Sequence, residues 1–333
     1  MFSALADGIR RVNRAPAILA GVWAMTLIVS LPLAAALRGT LMDHLGASLA
    51  AARAANGVNY DWMQEFSDQA AGLAATFKPT IIGFGAVLDN LSALIDDTTR
   101  PVAIVGAASL YVLIWVFVAG GILDRYARER ATGAHGFFAA CGVFFFRFLR
   151  LAIVQWLVYA FLFIYMHAWL FDRFYPRITH EVTVERTAFF VRLALYAVFG
   201  VLVAASALIF DYAKVRAVVE DRRSMLGAIG AALGFIQRNY IAAVGLFAWN
   251  FALFVAVIGL YALVAPGAGG GGSLSMSLGF VIGQAYIVAR LWVKLAFWAS
   301  ETALFQSRLA HSGYVARPQA TWPDSPATEA IAR

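Results

Sequence analysis

The chain has little of what soluble and disulfide-stabilised proteins depend on. It contains a single cysteine, Cys141, so no disulfide can form within the chain. Only 14% of the 333 residues are charged, whereas soluble domains carry about a quarter. Lysine occurs 3 times against 23 arginines, a usage that together with abundant alanine is typical of high-GC bacterial genomes. This composition argues against a soluble domain.

Motifs of common enzymes are also missing. There is no Gly-x-Ser-x-Gly, no His-Glu-x-x-His and no phosphate-binding loop. The glycine-rich segment 266–273 lacks a following Lys-Ser or Lys-Thr, so we expect a flexible tether there. His180 and Glu181 have no second histidine or cysteine at ligand spacing. We therefore expect no catalytic residues, no metal and no cofactor.

Long apolar segments are what the chain does contain. It is 62% hydrophobic, with a mean hydropathy of +0.74. Crossing a hydrocarbon core of about 30 Å takes roughly 20 apolar residues of helix. Six segments satisfy this: 15–37, 101–123, 151–171, 187–210, 240–264 and 278–297. The sequence predicts an all-α polytopic membrane protein, one domain over 1–310, followed by a disordered cytoplasmic tail, 311–333.

Basic residues predict the orientation, because lysine and arginine accumulate in cytoplasmic loops. If both termini are cytoplasmic, the segments predicted to face the cytoplasm hold 18 basic residues, and those predicted to face the other side of the membrane hold 8. The net charge of +7 then reflects topology, and we expect no nucleic-acid binding. The predicted location is a bacterial cytoplasmic (inner) membrane. Its anionic inner leaflet is an expected partner, and protein partners at the cytoplasmic face are possible.

A cleavable signal peptide is the alternative for the first apolar segment. Arg10, Arg11 and Arg14 precede it, and 34–36 is an Ala-Ala-Ala sequence that resembles a cleavage site. The apolar run is about 23 residues long, whereas the apolar region of a signal peptide has roughly 7–15. We expect this segment to be retained as a membrane span.

Matched charges at the span ends predict three internal repeats. The even-numbered spans end at three carboxylates that are 87 and 90 residues apart: Asp124, Asp211 and Glu301. Each odd-numbered span follows a Gly/Ala-rich segment of about 12 residues that closes with an arginine: Arg14, Arg147 and Arg238. Twelve helical residues reach about 18 Å, too short to cross a membrane. Each unit is thus predicted to be an interfacial helix plus a helical hairpin, and chance similarity of apolar segments is the alternative.

The boundary charges suggest specific contacts. The three arginines can reach lipid phosphate from the inner surface while their stems stay apolar. Asp124 with Arg128, and Asp211 with Lys214, have the spacing of local helical pairs. The alternative is a bridge between units, in which one of the arginines reaches a carboxylate of another unit.

This pattern is similar to a broad class of uncharacterised bacterial six-helix membrane proteins. That class includes the membrane domain that accompanies some glycerophosphodiester phosphodiesterases. The residues that carry the resemblance are Asp211 with the basic run after it, and the Gly/Ala-rich helix ending at Arg238 and Asn239. They cover roughly a third of the chain. The resemblance implies a fold and no activity, because no soluble segment is long enough for a phosphodiesterase domain.

Polar residues within the spans are the main functional candidates, since an ionisable group at mid-bilayer costs about 2.5–3.5 kcal/mol. On the sixth span, Gly283, Arg290, Lys294 and Glu301 share one helical face. We expect Arg290 to face the bundle and pair with Asp211 or Asp124, with Gly283 permitting close helix approach; snorkelling is the alternative. The remaining candidates for this buried polar network are Gln155, Asn250 and Gln284, as interhelical hydrogen bonds or as a solute path.

The first external segment, 38–100, is too long for a bare connection. We expect an amphipathic cap of two or three helices on the outer face, and the alternative is a re-entrant hairpin bent at Lys78 and Pro79. The predicted apolar face of the first cap helix comprises Trp62, Phe66, Leu73 and Phe77.

Three functions remain open. The favoured one is a non-catalytic membrane protein that organises lipids or partners at its basic inner face. The alternative is a small-solute transporter or channel-like protein with a polar path near Arg290, Asn250 and Gln284. A membrane-embedded enzyme acting on lipid is the third. A cavity reaching Arg290 would favour transport, and a closed dry core would count against it.

Overall fold

A computed structural model describes residues 1–46, 48–55, 59–78, 83–98, 101–129, 132–266 and 272–311. All regular structure in these ranges is helical. The helices are α1 (Phe2–Asn13), α2 (Pro16–Leu45), α3 (Ala51–Ala55), α4 (Tyr60–Gln69), α5 (Phe84–Ile95), α6 (Val102–Arg128), α7 (Ala134–Ala160), α8 (Tyr175–Thr179), α9 (Glu185–Val219), α10 (Met225–Arg238), α11 (Tyr240–Val264) and α12 (Ser273–His311). A 3₁₀ turn lies at Ala74–Thr76, and π-helical turns (Phe161–His167, Trp169–Phe174) join α7 to α8.

Six helical segments of the described chain are long and apolar enough to cross a membrane, as the sequence predicts. They are Pro16–Leu45, Val102–Arg128, Ala134–Thr179, Glu185–Val219, Tyr240–Val264 and Ser273–Leu309. Most are longer than the predicted apolar runs because the helices continue through their polar ends. This is the build of a multi-pass membrane protein.

Two of the three predicted interfacial helices are separate helices, and the third is not. α1 ends before Pro16, which occupies the first turn of α2, and α10 ends at Asn239. At Arg147 the chain does not break, because helix continues from Ala134 to Thr179. Residues 148–160, which follow Arg147, contain no proline, glycine or asparagine to interrupt the helix. The prediction of a separate helix ending at Arg147 is wrong.

The large hydrophobic core lies at one end of the bundle, which we call the closed end. Its buried residues come from α1 and α10, from the second halves of α6, α9 and α12, and from the early parts of α7 and α11. The opposite halves, at the end we call the open end, are much less packed. α2, for example, buries only Val22 among its 30 residues. The six segments are thus held together mainly at the closed end.

Arg11 ties three helices together at the closed end. Its side chain is only 8% exposed and donates to the carbonyl of Tyr126 and to Gln306 Oε1, both at 2.7 Å. It also pairs with Asp7 at 2.8 Å and Glu129 at 2.6 Å. A guanidinium with five donors can satisfy all of these acceptors at once. α1, the end of α6 and the end of α12 are therefore fixed relative to one another.

Glycines allow the closest helix crossings at the closed end. A Cβ at Gly8 would lie 2.5 Å from the backbone nitrogen of Ser300, so α1 and α12 touch backbone to backbone there. A Cβ at Gly121 would lie 2.6 Å from Cys141 Sγ and 2.8 Å from the carbonyl oxygen of Phe137. α6 and α7 therefore cross with no room for a side chain at Gly121.

Gly121→Val is expected to destabilise the fold by about 2 kcal/mol, because overpacking of a tight contact forces neighbouring backbone apart. Gly106→Val on the same helix is the control, since a Cβ there would meet no described atom within 4 Å. Thermal unfolding of both variants in detergent micelles measures the difference, expected at roughly 5 °C. Equal melting temperatures would contradict the close α6–α7 crossing.

A second, smaller core caps α2 at the open end. Trp62, Met63, Phe66 and Ala74 are buried there, and Leu41, Leu45 and Phe77 are among the partly buried residues packed against them. The indole of Trp62 donates to His44 Nδ1 at 3.0 Å. Of the predicted apolar face, Trp62 and Phe66 lie on α4, and Phe77 packs against them from outside the helix. α4 ends at Gln69 and the chain turns at Gly72, which has a φ of 59°, so Leu73 does not extend this face. Residues 79–82, including the predicted re-entrant bend at Pro79, lie outside the described residues.

α5 spans the open end between two helix pairs. Gly83, which precedes it, lies against Pro266 at the end of α11. At its other end the carbonyl of Ile95 accepts a hydrogen bond from His167 Nε2 at 2.7 Å. Asp96 then accepts from the Tyr196 hydroxyl at 2.6 Å. A helix of this length covers about 18 Å, so α5 connects the α11–α12 hairpin to the α7–α9 pair.

Acidification is expected to loosen the α5 contact with α9. The hydrogen bond from Tyr196 lowers the pKa of Asp96 despite some desolvation, and Ser92, Arg192 and His167 add to the effect. Because the folded pKa is depressed, the carboxylate stabilises docking above the unfolded value of about 4 and loses this effect as pH falls through the folded value.

Spin-label mobility at a Leu88→Cys substitution on α5 measures this. Mobility should rise below about pH 4 in the parent and be high at every pH with Asp96→Asn. A mobility that does not change with pH in the parent would show that Asp96 does not anchor α5.

Candidate anion-binding cavity

All six membrane-crossing segments line one central cavity of about 820 Å³. Its walls are largely apolar, and polar groups converge on it from five of the six segments. These are Thr26, Ser30, Tyr111, Gln155, Tyr159, Asp211, Lys214, Arg290 and Lys294. Mostly apolar clefts with a few convergent polar groups are typical of small-molecule sites.

The cavity runs from the open end toward the closed end and stops there. Ile104, which lines it, is in the first turn of α6, whereas Lys214 and Trp298 lie at its other limit. Beyond them, side chains such as Tyr212 and Phe305 are fully buried. The described lining residues thus extend from the open end and stop short of the packed closed end.

Lys294 sits in an aromatic corner at the deep end of the cavity. Its Nζ lies 3.7 Å from the ring centre of Trp115 and 5.8 Å from that of Trp298. Such cation–π contacts contribute about 0.5–2 kcal/mol, more when water is excluded. They hold the ammonium group in place and leave its charge uncompensated.

Asp211 is the only carboxylate among the described lining residues, and it is already engaged. Its Oδ1 accepts from Lys214 Nζ at 2.8 Å and from the Trp298 indole at 3.2 Å. The expected pair between Arg290 and Asp211 is therefore absent. Arg290 instead places its guanidinium 5.5 Å from the ring centre of Tyr286. It is exposed to the cavity and does not join any ion pair formed by the described residues.

The charge balance of the cavity favours an anion. Among the described residues that line it, three are basic (Lys214, Arg290 and Lys294) and one is a carboxylate, so two positive charges are in excess. Unpaired cations at membrane depth are costly and mark ligand or ion sites. Arginine and lysine bind carboxylates and phosphates through charge-assisted hydrogen bonds. The arrangement can hold a carboxylate or phosphate group, with an apolar part of the ligand along the walls.

Glu301 lies buried on the closed-end side of this site. It is two helical turns beyond Lys294 on α12, and neither carboxyl oxygen has a hydrogen-bond partner among the described residues. The hydroxyl of Tyr212 is also buried without a partner there. Burying polar groups without partners is destabilising. Glu301 does not line the cavity, unlike Lys294 on the same helical face.

The remaining network candidates occupy different places. Asn250 donates to Ser300 Oγ at 2.8 Å, and Gln284 accepts from the Trp23 indole at 3.0 Å. Both are interhelical hydrogen bonds, and neither residue lines the cavity. Gln155 lines it and bonds within its own helix. Of the three amide side chains predicted for the polar network, only Gln155 lines the cavity that contains Arg290.

The boundary carboxylates form the predicted local pairs, Asp124 with Arg128 at 2.6 Å and Asp211 with Lys214 at 2.8 Å. Arg147 binds Asp221 at 2.5 Å. Asp221 lies in the turn before α10, ahead of the third predicted unit, so this pair is not the predicted bridge to a carboxylate of another unit. Arg238, in contrast, is exposed.

Gly283 does not have its predicted role. A Cβ there would meet no described atom within 4 Å, so it does not bring helices together.

Several lining residues were missed in the sequence. The sequence predicts Lys214 only as a local partner of Asp211. Because Lys214 lies one turn beyond Asp211, the two residues share one surface of α9. Trp298 could have been found as one turn after Lys294. Trp115 carries no such signal, because its contact with Lys294 joins α6 to α12 and depends on tertiary packing.

Comparison of the chain with protein-family models, with curated proteins and with solved structures finds no match. The assignment of function therefore rests on the geometry and charge of the cavity.

Proposed function

We propose that the protein binds an anionic organic solute in the central cavity and carries it across the membrane. The observation that carries this proposal is the pair of uncompensated cations, Arg290 and Lys294, in a cavity lined by all six segments. Sites at membrane depth between helices are typical of transporters. The cavity reaches Arg290, which is the feature that favours transport over a non-catalytic organising role.

One-sided access supports alternating access rather than a continuous channel. The cavity approaches the open end and stops at the packed closed end. Transport then requires the closed end to part while the open end closes, with α5 as the element that covers the mouth. The three pseudo-repeats supply hairpins that can rock against one another as rigid units.

Binding is tested in nanodiscs of zwitterionic lipid by calorimetric titration with three probes: octyl phosphate, inorganic phosphate and octyltrimethylammonium. We expect octyl phosphate to bind and the cation not to bind. Binding of inorganic phosphate with equal affinity would assign the site to free anions instead of amphiphiles. Binding of the cationic probe in preference to both anions would contradict the proposal.

Transport is tested by uptake of radiolabelled octyl phosphate into proteoliposomes, compared with protein-free vesicles, since amphiphiles also cross lipid unaided. We expect faster uptake with protein, abolished by Arg290→Gln with Lys294→Gln. Binding without protein-dependent uptake would leave a binding protein and overturn the carrier role.

The distribution of basic residues supports an orientation in which the closed end and both termini face the cytoplasm. A reporter fused after Arg333 should then be active only in its cytoplasmic form. Activity of a reporter that works only outside the cytoplasm would contradict this orientation, and with it loading from the outer side.

A lipid- or partner-organising role in a bacterial inner membrane, without catalysis, stays a prediction. So does the similarity to the membrane domain that accompanies some phosphodiesterases. The exposed arginines Arg14 and Arg238 at the closed end support contact with anionic headgroups.

A further inference from the structure

A second cavity, separate from the central one, lies between α2 and the α6–α7 pair. It has a volume of about 640 Å³, and none of its lining residues lines the central cavity. Apolar side chains form most of its wall, including Ile18, Val22, Met25, Ile114 and Phe117. The polar members of the wall among the described residues are Arg14, Arg125 and Thr132.

The polar and apolar residues of this groove are separated along its length. Arg14 precedes α2 and Arg125 is near the carboxyl end of α6, so both lie at the closed end. Met25 and Ile114 are each 11 residues away on the same helices, toward the middle of the membrane. Eleven helical residues cover about 16 Å, which is roughly half of a 30 Å hydrocarbon core. The groove therefore has the depth of one lipid leaflet.

The two arginines are available to a ligand. Neither Arg14 nor Arg125 joins an ion pair formed by the described residues, because Asp124 binds Arg128 and Glu129 binds Arg11. The first residues of α2 also line the groove, and the start of a long helix adds partial positive charge. A phosphate group at this position would meet three sources of positive charge.

We propose that this groove binds one anionic phospholipid of the closed-end leaflet, with its phosphate at Arg14 and Arg125 and an acyl chain along α2 and α6. Charge complementarity at one end and leaflet-deep apolar walls along the rest select this occupant. A small soluble anion would leave the apolar length empty, and an extended peptide would place unpaired backbone groups against it.

Gly21 provides a way to fill the groove without disturbing the fold. It lines the groove, and a Cβ there would meet no described atom within 4 Å. Gly21→Leu should therefore block the acyl chain. Gly200→Leu is the matched control, because Gly200 has the same open surroundings on α9 and lines neither cavity.

Native mass spectrometry of protein released from nanodiscs with equal phosphatidylglycerol and phosphatidylcholine measures the retained lipid. We expect one phosphatidylglycerol per chain in the parent and in Gly200→Leu, and none in Gly21→Leu. Arg14→Gln with Arg125→Gln should lower the preference for phosphatidylglycerol by about 30-fold, roughly fivefold for each basic residue. Arg10→Gln, at an exposed arginine of α1, should lower it much less.

The proposal is overturned if Gly21→Leu retains lipid as the parent does, or if the double arginine variant keeps the full preference. Retention of a second copy of the chain in place of lipid would also overturn it. Melting temperatures confirm that each variant is folded before its lipid is counted. Arg290→Gln with Lys294→Gln should keep the bound phosphatidylglycerol, so failure of the transport proposal and failure of this one are distinguishable.

Discussion

Lys294→Met is expected to weaken binding of octyl phosphate in the central cavity by about 10- to 100-fold, the loss of one charge-assisted contact worth roughly 1.5–3 kcal/mol. Methionine keeps a flexible apolar stem against Trp115 and removes only the charge. Because the ammonium has no carboxylate partner among the described ion pairs, its removal relieves an unpaired charge at membrane depth. The melting temperature should therefore stay the same or rise while affinity falls.

Calorimetric titration and thermal unfolding of the same preparation measure both quantities. Arg308→Gln is the control, since Arg308 is exposed at the far end of α12 and does not line the cavity. Unchanged affinity in Lys294→Met would show that the Lys294 ammonium does not contribute to binding. A parallel loss of affinity in the control would point to general electrostatic attraction instead.

Glu301→Met and Glu220→Met are expected to shift stability in opposite directions. Glu301 is fully buried with both oxygens unpartnered among the described residues, so an apolar side chain of similar size should stabilise by about 2 kcal/mol, roughly 5 °C. Glu220 is also largely buried but binds Arg216 at 2.6 Å and Arg222. Its removal should destabilise by about 3–5 kcal/mol, because the buried guanidinium of Arg216 loses its carboxylate partner.

The pH dependence of stability is an independent measurement of the contribution of Glu220. Burial raises the pKa of its carboxyl, but hydrogen bonds from Arg216 and Arg222 outweigh it and the net pKa is lowered. Its stabilisation is thus present above about pH 4.5 and is lost as pH falls through the depressed folded value. Glu220→Met should remove this part of the acid sensitivity. If both substitutions lower the melting temperature equally, the buried Glu301 side chain stabilises the fold, which contradicts the prediction.

The spans were predictable because length and hydropathy are local properties. Pro16 and Asn239 likewise indicate that the chain breaks after α1 and α10. At Arg147 the matched charge suggested a break that the following residues do not support, so α7 continues. The charge pattern alone does not indicate whether a helix stops at the arginine.

The candidate site was predictable only in part. Arg290 and Lys294 are conspicuous as charges within an apolar segment, and helical spacing places them on one face. Which carboxylate Arg290 meets depends on how α9 and α12 are rotated and tilted, which no local pattern encodes. Asp211 binds Lys214 and Trp298 instead, and that leaves the cations free for a ligand.

The contact between the first and last helices imposes an order on biogenesis. α1 completes the closed end by packing against α12, through Gly8 at Ser300 and Arg11 at Gln306. These partners are almost 300 residues apart in the chain, so α1 is synthesised long before α12. The end of α6, which Arg11 also contacts through Tyr126 and Glu129, is available earlier. Contacts between residues this far apart in sequence form slowly, and the closed end cannot be completed until α12 has been synthesised.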